Sequence, residues 1–312
     1  MVSLSELQHL ARTRKEPRVK QETPDNKAAL VFLAPWILGA IVLTIGPMVA
    51  SLGLSFTNYN LLQSPRWIGV ENFLRILTDT RLHRSLIVTL LYVVIGVPGQ
   101  LIAALFLALI LDRGMKGLSF YRSAFYLPSL LGSSVAIAVL WRLVFGGDGL
   151  FNTLLGVIGI TSTTSWIGSP DTALGTIILL HIWTFGSPMV IFLAGLRQIP
   201  TELYEAAATD GASTWQRFRY VTIPLLTPII FFNLVLAVIN SFQAFTQAFI
   251  VSGGTGAPAD STLFYTLYLY TQGFGSFRMG YASALAWLLV ILIAAFTGLN
   301  FFLSKFWVHY ED

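Results

Sequence analysis

Four side-chain amides stand at helical spacing in one otherwise apolar stretch of the chain. They are Asn233, Asn240, Gln243 and Gln247, separated by seven, three and four residues. At about 100° per residue, this spacing places all four within an arc of about 80°. The opposite side of the same predicted helix carries Phe231, Phe242, Phe245 and Phe249. An uncharged amide offers hydrogen-bond donors and an acceptor, which suits the neighbouring hydroxyl groups of a neutral sugar.

The same amides could instead hold helices together. Amide groups are costly in hydrocarbon, so they must face either a cavity or another helix. Hydrogen bonds between helices are a common use of polar side chains in membranes. Four amides on one stripe exceed what helix association usually needs, and the pattern therefore favours a solute path over packing alone.

Other kinds of chemistry find little support in the sequence. The chain has no Cys, which excludes disulfides, thiolate metal sites and a cysteine nucleophile. His181 lies in an apolar stretch with no carboxylate in any predicted span to pair with it, so packing is the favoured role. An intramembrane enzyme would need a metal or acid–base cluster, and an ion-coupled carrier would need buried acids or paired broken helices. Both classes are disfavoured.

The composition places these residues in a bilayer. Of 312 residues, 55% are hydrophobic and 11% are charged, which is too little charge for a soluble surface of this size. Six runs, uncharged except for Arg142 in the third, are long enough to cross about 30 Å of hydrocarbon. They cover residues 28–56, 85–111, 123–145, 172–196, 227–252 and 281–304. A seventh run, 150–170, is rich in Gly, Ser and Thr and is predicted to be a loop with a short amphipathic piece. The predicted fold class is an all-α membrane protein with six transmembrane helices.

The basic residues give the chain an orientation. Lys and Arg concentrate in the N-terminal tail and in the loops after the second and fourth spans, although the first outer loop also holds four Arg. Because cytoplasmic loops carry the excess of Lys and Arg, both termini are predicted to be cytoplasmic. The predicted organisation is a charged cytoplasmic tail over residues 1–27, a six-helix domain over 28–304 and a short cytoplasmic tail over 305–312.

The N-terminal tail is not predicted to be a signal peptide. The apolar run that follows it is too long for such a peptide and lacks a small-residue cleavage site. A basic segment beside a membrane favours contact with anionic membrane lipid over a protein partner. The net charge is +4, but the basic residues are distributed over several predicted cytoplasmic segments rather than gathered in one patch. No nucleic-acid-binding patch is therefore predicted.

A polar segment, residues 200–224, stands between the fourth and fifth spans. Thr201 is predicted to cap a helix that Gly211 ends, and Ser213 and Gln216 have the spacing of a capping box for a second helix. This second helix is predicted to reach about residue 222, with Pro224 at the entry to the fifth span. The Ala-rich face would bury little among lipid headgroups. Local physics leaves two uses open, a connector at the membrane surface and a docking element for another protein.

This segment resembles a known family. "EAAATDG", followed nine residues later by "VTIP", resembles the EAA loop of binding-protein-dependent ABC importer permeases, whose pattern is E-A-A-x-x-x-G-x(9)-I-x-L-P. The matching residues are Glu205, Ala206, Ala207, Gly211 and Pro224, with Val221 and Ile223 at the two aliphatic positions. Residues 200–224 are called the EAA segment below. "WIGVENF" from Trp67, "DGAS" from Asp210, "VSGGTGAP" from Val251 and "MGYASALAWLL" from Met279 resemble the carbohydrate branch, the maltose and glycerol-phosphate permease type.

The resemblance implies a fold and a set of partners. The fold is the ABC type I importer permease fold in a bacterial inner membrane. The helix holding Glu205, Ala206, Ala207, Asp210 and Gly211 would be a coupling helix that sits in a cleft of a separate ATPase subunit. The partners would be a homologous second permease subunit, two ATPase subunits and an extracytoplasmic solute-binding protein. The chain has no G-x-x-x-x-G-K-[ST] loop, so no cofactor is expected in it, and ATP and Mg would be bound by the ATPase.

Two further points stay open in the sequence. The neutral amides favour a sugar or oligosaccharide as the solute, while the resemblance also allows a glycerol-phosphate-type ester. The outer stretch 252–280 is rich in aromatic residues, namely Phe264, Tyr265, Tyr268, Tyr270 and Phe274. These could form an aromatic belt at the membrane interface or contact the solute-binding protein.

Overall fold

The computed structural model describes residues 26–114, 117–132 and 134–309. These residues form helices and loops, with a single antiparallel bridge between Thr57 and Trp67. The chain divides into two units, residues 1–50 and 51–312. The described part of the first unit contains α1 (Asn26–Gly39), a π-helix (Ala40–Ile45) and the first half of α2 (Gly46–Ser55). Most of the predicted N-terminal tail, up to residue 25, lies outside the described residues.

The second unit holds the remaining helices. In chain order its α-helices are α3 (Glu71–Thr78), α4 (Thr80–Leu111), α5 (Leu118–Leu131), α6 (Val135–Val144), α7 (Leu150–Val157), α8 (Ala173–Trp183), α9 (Gly186–Leu196), α10 (Thr201–Thr209), α11 (Thr214–Arg217), α12 (Ile223–Phe242), α13 (Thr246–Val251), α14 (Tyr265–Tyr270) and α15 (Met279–Ser304). Two π-helices, Phe218–Thr222 and Thr271–Gly275, lead into α12 and follow α14.

The described residues hold five candidate membrane spans, or six if one bent pair of helices counts as a span, compared with the six predicted from hydropathy. Five described helices are long and apolar enough to cross a bilayer: Val31–Ser55, Thr80–Leu111, Ala173–Leu196, Thr214–Val251 and Met279–Ser304. A sixth span is obtained if α5 and α6, which are bent by 94° relative to each other, are taken together. The run 150–170 is a loop that begins with the short helix α7, as predicted.

The third span was predicted as one helix over residues 123–145, and this is wrong in detail. Helix α5 ends at Leu131, where the N–H of Gly132 donates to the carbonyl of Pro128. Helix α6 starts afresh, since the Ser134 hydroxyl accepts from the N–H of Ile137 as an N-cap. The bend thus has a local cause in capping residues on both sides.

The helix of the fifth span begins earlier in the chain than predicted. The sequence predicted that the second short helix ends at about residue 222 and that the span begins at residue 227, whereas the structure is helical from Thr214 to Phe242. Pro224 lacks an N–H and would clash with the carbonyl one turn earlier in a regular helix. The π-helix Phe218–Thr222 widens the turn directly before it. The EAA segment and the fifth span are therefore one continuous helix beyond residue 213.

The buried core is built where α4 crosses the later spans. Helix α4 packs against α8, α9 and α12, and its buried face is mostly apolar. The fully buried side chains at these crossings include Val97, Ala104, Ile177, Met189, Phe192 and Leu226. Most other apolar side chains in the spans point outwards, as expected for a protein in lipid.

A carboxylate ties the outer elements together. Asp79 caps α4 by accepting from the N–H groups of Arg81 and Leu82 at 3.2 and 3.0 Å. Its other oxygen accepts from the hydroxyls of Tyr268 and Tyr281, each at 2.6 Å. One acid thus links α4, α14 and α15 at the end opposite the EAA segment.

The outer aromatic residues are mostly internal. Phe264, Tyr265 and Tyr268 are buried, and the Tyr265 hydroxyl donates to the carbonyl of Leu285 at 2.7 Å. Both predicted roles for these three residues, interfacial belt and contact with a binding protein, are therefore wrong. Tyr270 and Phe274 remain exposed and available for either role.

The folded permease is expected to become less stable at acidic pH, because Asp79 becomes protonated. Burial opposes ionisation of this carboxylate, but the four hydrogen bonds together outweigh it and lower the pKa of Asp79 below 3.8. A lowered pKa stabilises the fold above pH 3.8, and this contribution is lost as the pH falls through the folded-state pKa. We expect Asp79→Asn to lower the thermal midpoint near neutral pH and to flatten its decline in acid, measured on purified protein in detergent. The exposed Asp148→Asn is the control, and an equal effect of both substitutions would contradict the role of the network.

Candidate functional site

A central cavity of about 570 Å³ lies among α4, α8, α9, α12 and α13. All four predicted amides, Asn233, Asn240, Gln243 and Gln247, line it. The other polar lining residues are Gln100, His181, Thr184, Ser187, Thr246, Ser241 and Tyr92. No Asp, Glu, Lys or Arg is among the described residues that line this cavity. Its chemistry is therefore that of uncharged donors and acceptors beside apolar surface, which suits a neutral polyhydroxylated molecule.

The four amides are not equivalent. Asn240 and Gln243 are exposed to the cavity. Asn233 is only 4% exposed, and its side chain donates a hydrogen bond to the carbonyl of Ile229 within its own helix. Gln247 donates to the carbonyl of Gly132 at 3.2 Å and so holds α13 against the bend of the third span. Asn240 and Gln243 thus fit the path hypothesis best, while Gln247 also fits the packing hypothesis.

The spacing argument that grouped the amides is only partly correct. Helix α12 ends at Phe242, and Gln243 is followed by a break before α13 begins at Thr246. A constant 100° per residue therefore cannot be carried through to Gln247. Phe245, predicted on the opposite side, also lines the central cavity because of this break.

The broken fourth span supplies much of the remaining wall. Pro188 has no N–H, so the carbonyl of Thr184 lacks its usual partner four residues on. Gln100 Nε2 and Ser129 Oγ donate to this carbonyl at 3.0 and 2.9 Å, and Gln100 also donates to the Thr184 hydroxyl at 2.9 Å. Side chains from α4 and α5 thereby fix irregular backbone beside the cavity, which is where membrane proteins tolerate it.

His181 is part of the same wall. Its Nε2 lies 3.3 Å from the hydroxyl of Ser241, and its ring lies 5.0 Å from that of Tyr92. It sits against Gly96, where an added Cβ would approach its ring to 2.9 Å. No carboxylate contacts it among the described residues, in keeping with a packed and hydrogen-bonded His rather than a proton relay.

A second, inner cavity of about 500 Å³ lies towards the predicted cytoplasmic side. Ser187 and Ile191 line both cavities, so the two adjoin along α9. Its remaining lining comes from Ser119, Arg122, Ser123, Tyr126 and Val190. Arg122 is the one charged residue among them, and it makes no ion pair within the described parts of the chain.

The EAA segment forms two short helices around a sharp turn. Helix α10 spans Thr201–Thr209, with Pro200 rather than the predicted Thr201 at the N-cap position. Gly211 has φ of +81°, which an L side chain rarely adopts, and its N–H donates to the carbonyl of Ala208. The predicted capping box is present, since Ser213 and Gln216 bond to each other's backbone N–H groups at 3.3 and 2.7 Å.

The surface of this turn is open. The exposed residues are Glu205, Ala206, Asp210 and Gly211, whereas Ala207 is half-buried. Glu205 makes no ion pair within the described residues. Trp215 on α11 is also largely exposed. Small side chains, exposed acids and an exposed Trp together form a surface that another protein can approach closely.

Comparison with known proteins places these features in a family. Residues 77–308 match the family described as binding-protein-dependent transport system inner membrane component. The chain belongs to this family. It is thus the membrane component of a binding-protein-dependent transport system, and the open turn around Gly211 lies where the sequence predicted the EAA loop.

Several known proteins are similar to this chain along nearly its whole length. It is 50% identical over 289 residues to the probable ABC transporter permease protein YesP of Bacillus subtilis, which covers 92% of this chain and 94% of the relative. It is 30% identical to the probable starch degradation products transport system permease AmyD of Thermoanaerobacterium thermosulfurigenes, over 88% of this chain and 93% of AmyD. It is 32% identical to the lactose transport system permease LacF of Rhizobium radiobacter, over 88% and 93% of the two chains.

A solved structure shares the fold. One chain in the crystal structure of a bacterial alginate ABC transporter, in complex with an alginate pentasaccharide-bound periplasmic protein, superimposes with a TM-score of 0.78. It covers 90% of this chain and 94% of its own, at 20% identity. This likeness supports the predicted ABC importer permease fold.

Proposed function

We propose that this chain is a permease subunit of an ATP-driven importer for a sugar or oligosaccharide in a bacterial plasma membrane. The observation that carries the proposal is the central cavity, whose polar lining is uncharged throughout the described residues and includes the exposed amides of Asn240 and Gln243. The names of the relatives AmyD and LacF, which refer to starch products and lactose, support the same solute class.

The proposal includes partners that this chain needs. The chain would supply half of the translocation path, and a homologous second permease would supply the other half. Two ATPase subunits would bind ATP and Mg, and helix α10 would bind in a cleft of one of them. The residues of this chain that contact the ATPase would be Glu205, Ala206, Ala207, Asp210 and Gly211. An extracytoplasmic solute-binding protein would deliver the sugar to the outer end. The exposure of α10 and its unpaired acid supports this assignment.

An anionic solute is a second candidate. Arg122 lines the inner cavity without an ion-pair partner among the described residues, and a guanidinium suits a carboxylate or a phosphate ester. The basic excess of cytoplasmic ends also accounts for an Arg at this position, so the neutral sugar is preferred. Uptake assays with a neutral and an acidic oligosaccharide of equal length separate the two candidates.

Transport is expected to depend on the amides that face the central cavity. In proteoliposomes containing the complete complex, Asn240→Leu and Gln243→Leu should each reduce ATP-dependent sugar uptake about tenfold, the loss expected when a substrate hydrogen bond worth about 1.4 kcal/mol is removed. The complex should still assemble, because neither side chain bonds to another helix in the described structure.

The control is an amide of the same kind outside the cavity. Asn300 on α15 donates to the carbonyl of Phe296 and does not line the central cavity. Asn300→Leu should leave uptake near the wild-type rate. If the cavity substitutions instead prevent assembly, the amides serve packing and the path assignment is wrong.

A further inference from the structure

Among the residues that the structure describes, a single side-chain hydrogen bond joins α10 to the fifth span. The hydroxyl of Tyr204 lies 3.0 Å from the hydroxyl of Thr222. Thr222 ends the π-helix that leads into α12 and is 5% exposed. The ring of Tyr204 is half-buried and packs against the hydrophobic core. The bond is thus sheltered, although the helix that carries Tyr204 is otherwise open.

Other hydrogen bonds of this region are local. The backbone bonds of the turn run from Asp210, Gly211 and Ala212 back to the end of α10. The hydroxyl of Thr209 donates to a carbonyl of its own helix. Among the described residues, no other side-chain hydrogen bond connects α10 with a different element. The turn contains Gly211, and Gly has the most backbone freedom of any residue, so a side-chain bond outside the turn helps to fix the angle between α10 and the helix that follows.

The partner of Tyr204 lies at the start of a long rigid element. Helix α12 continues without a break from Ile223 to Phe242. The rise from Thr222 to Asn240 is about 27 Å at 1.5 Å per residue. A hydroxyl in a helix commonly bonds to a carbonyl one turn earlier, but the Thr222 hydroxyl is directed to Tyr204 instead. A displacement of α10 can therefore reach the wall of the central cavity through this pair.

We propose that Tyr204 and Thr222 form a strut that makes the coupling helix and the fifth span move as one body. Both are positioning residues: neither faces the solute cavity, and Tyr204 acts through Thr222 on Asn240 and Gln243. The inference rests on the proposed function, because it assumes that α10 is driven by an ATPase. It adds the route by which the motion of α10 reaches the residues that line the central cavity.

The first test separates coupling from assembly. In the complete reconstituted complex, Tyr204→Phe and Thr222→Val should lower the sugar transported per ATP hydrolysed by roughly 2- to 30-fold, the range for a residue that couples two sites without touching either ligand. The ATPase subunits should remain bound. Thr222→Ser, which keeps the hydroxyl, should restore coupling, and the double variant should be no worse than either single one.

A matched control lies in the same segment. Tyr220 is largely exposed, and its hydroxyl makes no hydrogen bond among the described residues. Tyr220→Phe removes the same atom and should leave the transport ratio unchanged. Wild-type ratios in both Tyr204→Phe and Thr222→Val would overturn the strut, and so would loss of the ATPase from these complexes. Glu205→Ala in parallel distinguishes the hypotheses: if it too leaves transport intact, the coupling function itself fails.

A covalent replacement tests the strut directly. The chain has no Cys, so in a Tyr204→Cys, Thr222→Cys variant the two introduced thiols are the only ones in this subunit. Bridging them with a short bifunctional thiol reagent should raise transport per ATP above that of the unbridged variant. A bridged complex that hydrolyses ATP but no longer transports would show that the two elements must separate, and would overturn the proposal.

Discussion

Glu205→Ala is expected to abolish sugar uptake while leaving the isolated permease folded. Glu205 is exposed on α10 and makes no ion pair among the described residues, so the fold loses no described partner when its carboxylate is removed. In the proposed complex this carboxylate meets a basic residue in the ATPase cleft. Truncating one partner of a buried interfacial charge pair costs about 2–5 kcal/mol. Such a loss lowers the affinity for the ATPase by between one and four orders of magnitude.

Two measurements check this expectation. The first is co-purification of the ATPase with the permease, and the second is ATP-dependent uptake in proteoliposomes. Glu202→Ala is the matched control, because Glu202 is an exposed acid in the first turn of the same helix. Its loss should have little effect on either measurement. Normal ATPase binding and uptake by Glu205→Ala would refute the coupling role of α10.

The parts of the site that were predictable are those whose signal is local. The capping box at Ser213 and Gln216 and the turn at Gly211 follow from short spacings, and the structure contains both. Hydropathy and helical period were sufficient to predict that Asn240 and Gln243 face the same cavity. These features depend on residues within a few turns of one another, so the sequence determines them without knowledge of the packing.

The rest of the cavity wall depends on contacts that are distant in sequence. Gln100 and Ser129 stand singly in other spans, with no spacing that marks them. They gain a role only because they reach the carbonyl of Thr184. Pro188 was the available clue, since it leaves that carbonyl without a partner. Tyr268 was misassigned for the same reason, since its partner, Asp79, lies 189 residues earlier in the chain.

Gly186→Ala is expected to destabilise the permease and to impair transport. At Gly186 an added Cβ would lie 2.5 Å from the carbonyl oxygen of Phe125 and 2.7 Å from the Cα of Tyr126. Both are backbone atoms of α5, so no side-chain rotation relieves the overlap, and α5 and α9 must move apart. Overpacking of this kind costs about 1–3 kcal/mol. The shift would also lengthen the bonds that Ser129 makes to Thr184 and Ser187 beside the cavity.

The measurement is the thermal midpoint of the purified permease together with uptake in the reconstituted complex. Gly175→Ala on α8 is the matched control, because an added Cβ there meets no atom within 4 Å. Exchanging Gly for Ala inside a helix favours folding by about 0.5–1 kcal/mol, so the control should be neutral or slightly more stable. If Gly186→Ala matched the control in both measurements, α5 and α9 would have room at this crossing. The role of this close contact in holding Ser129 beside the Thr184 carbonyl would then be refuted.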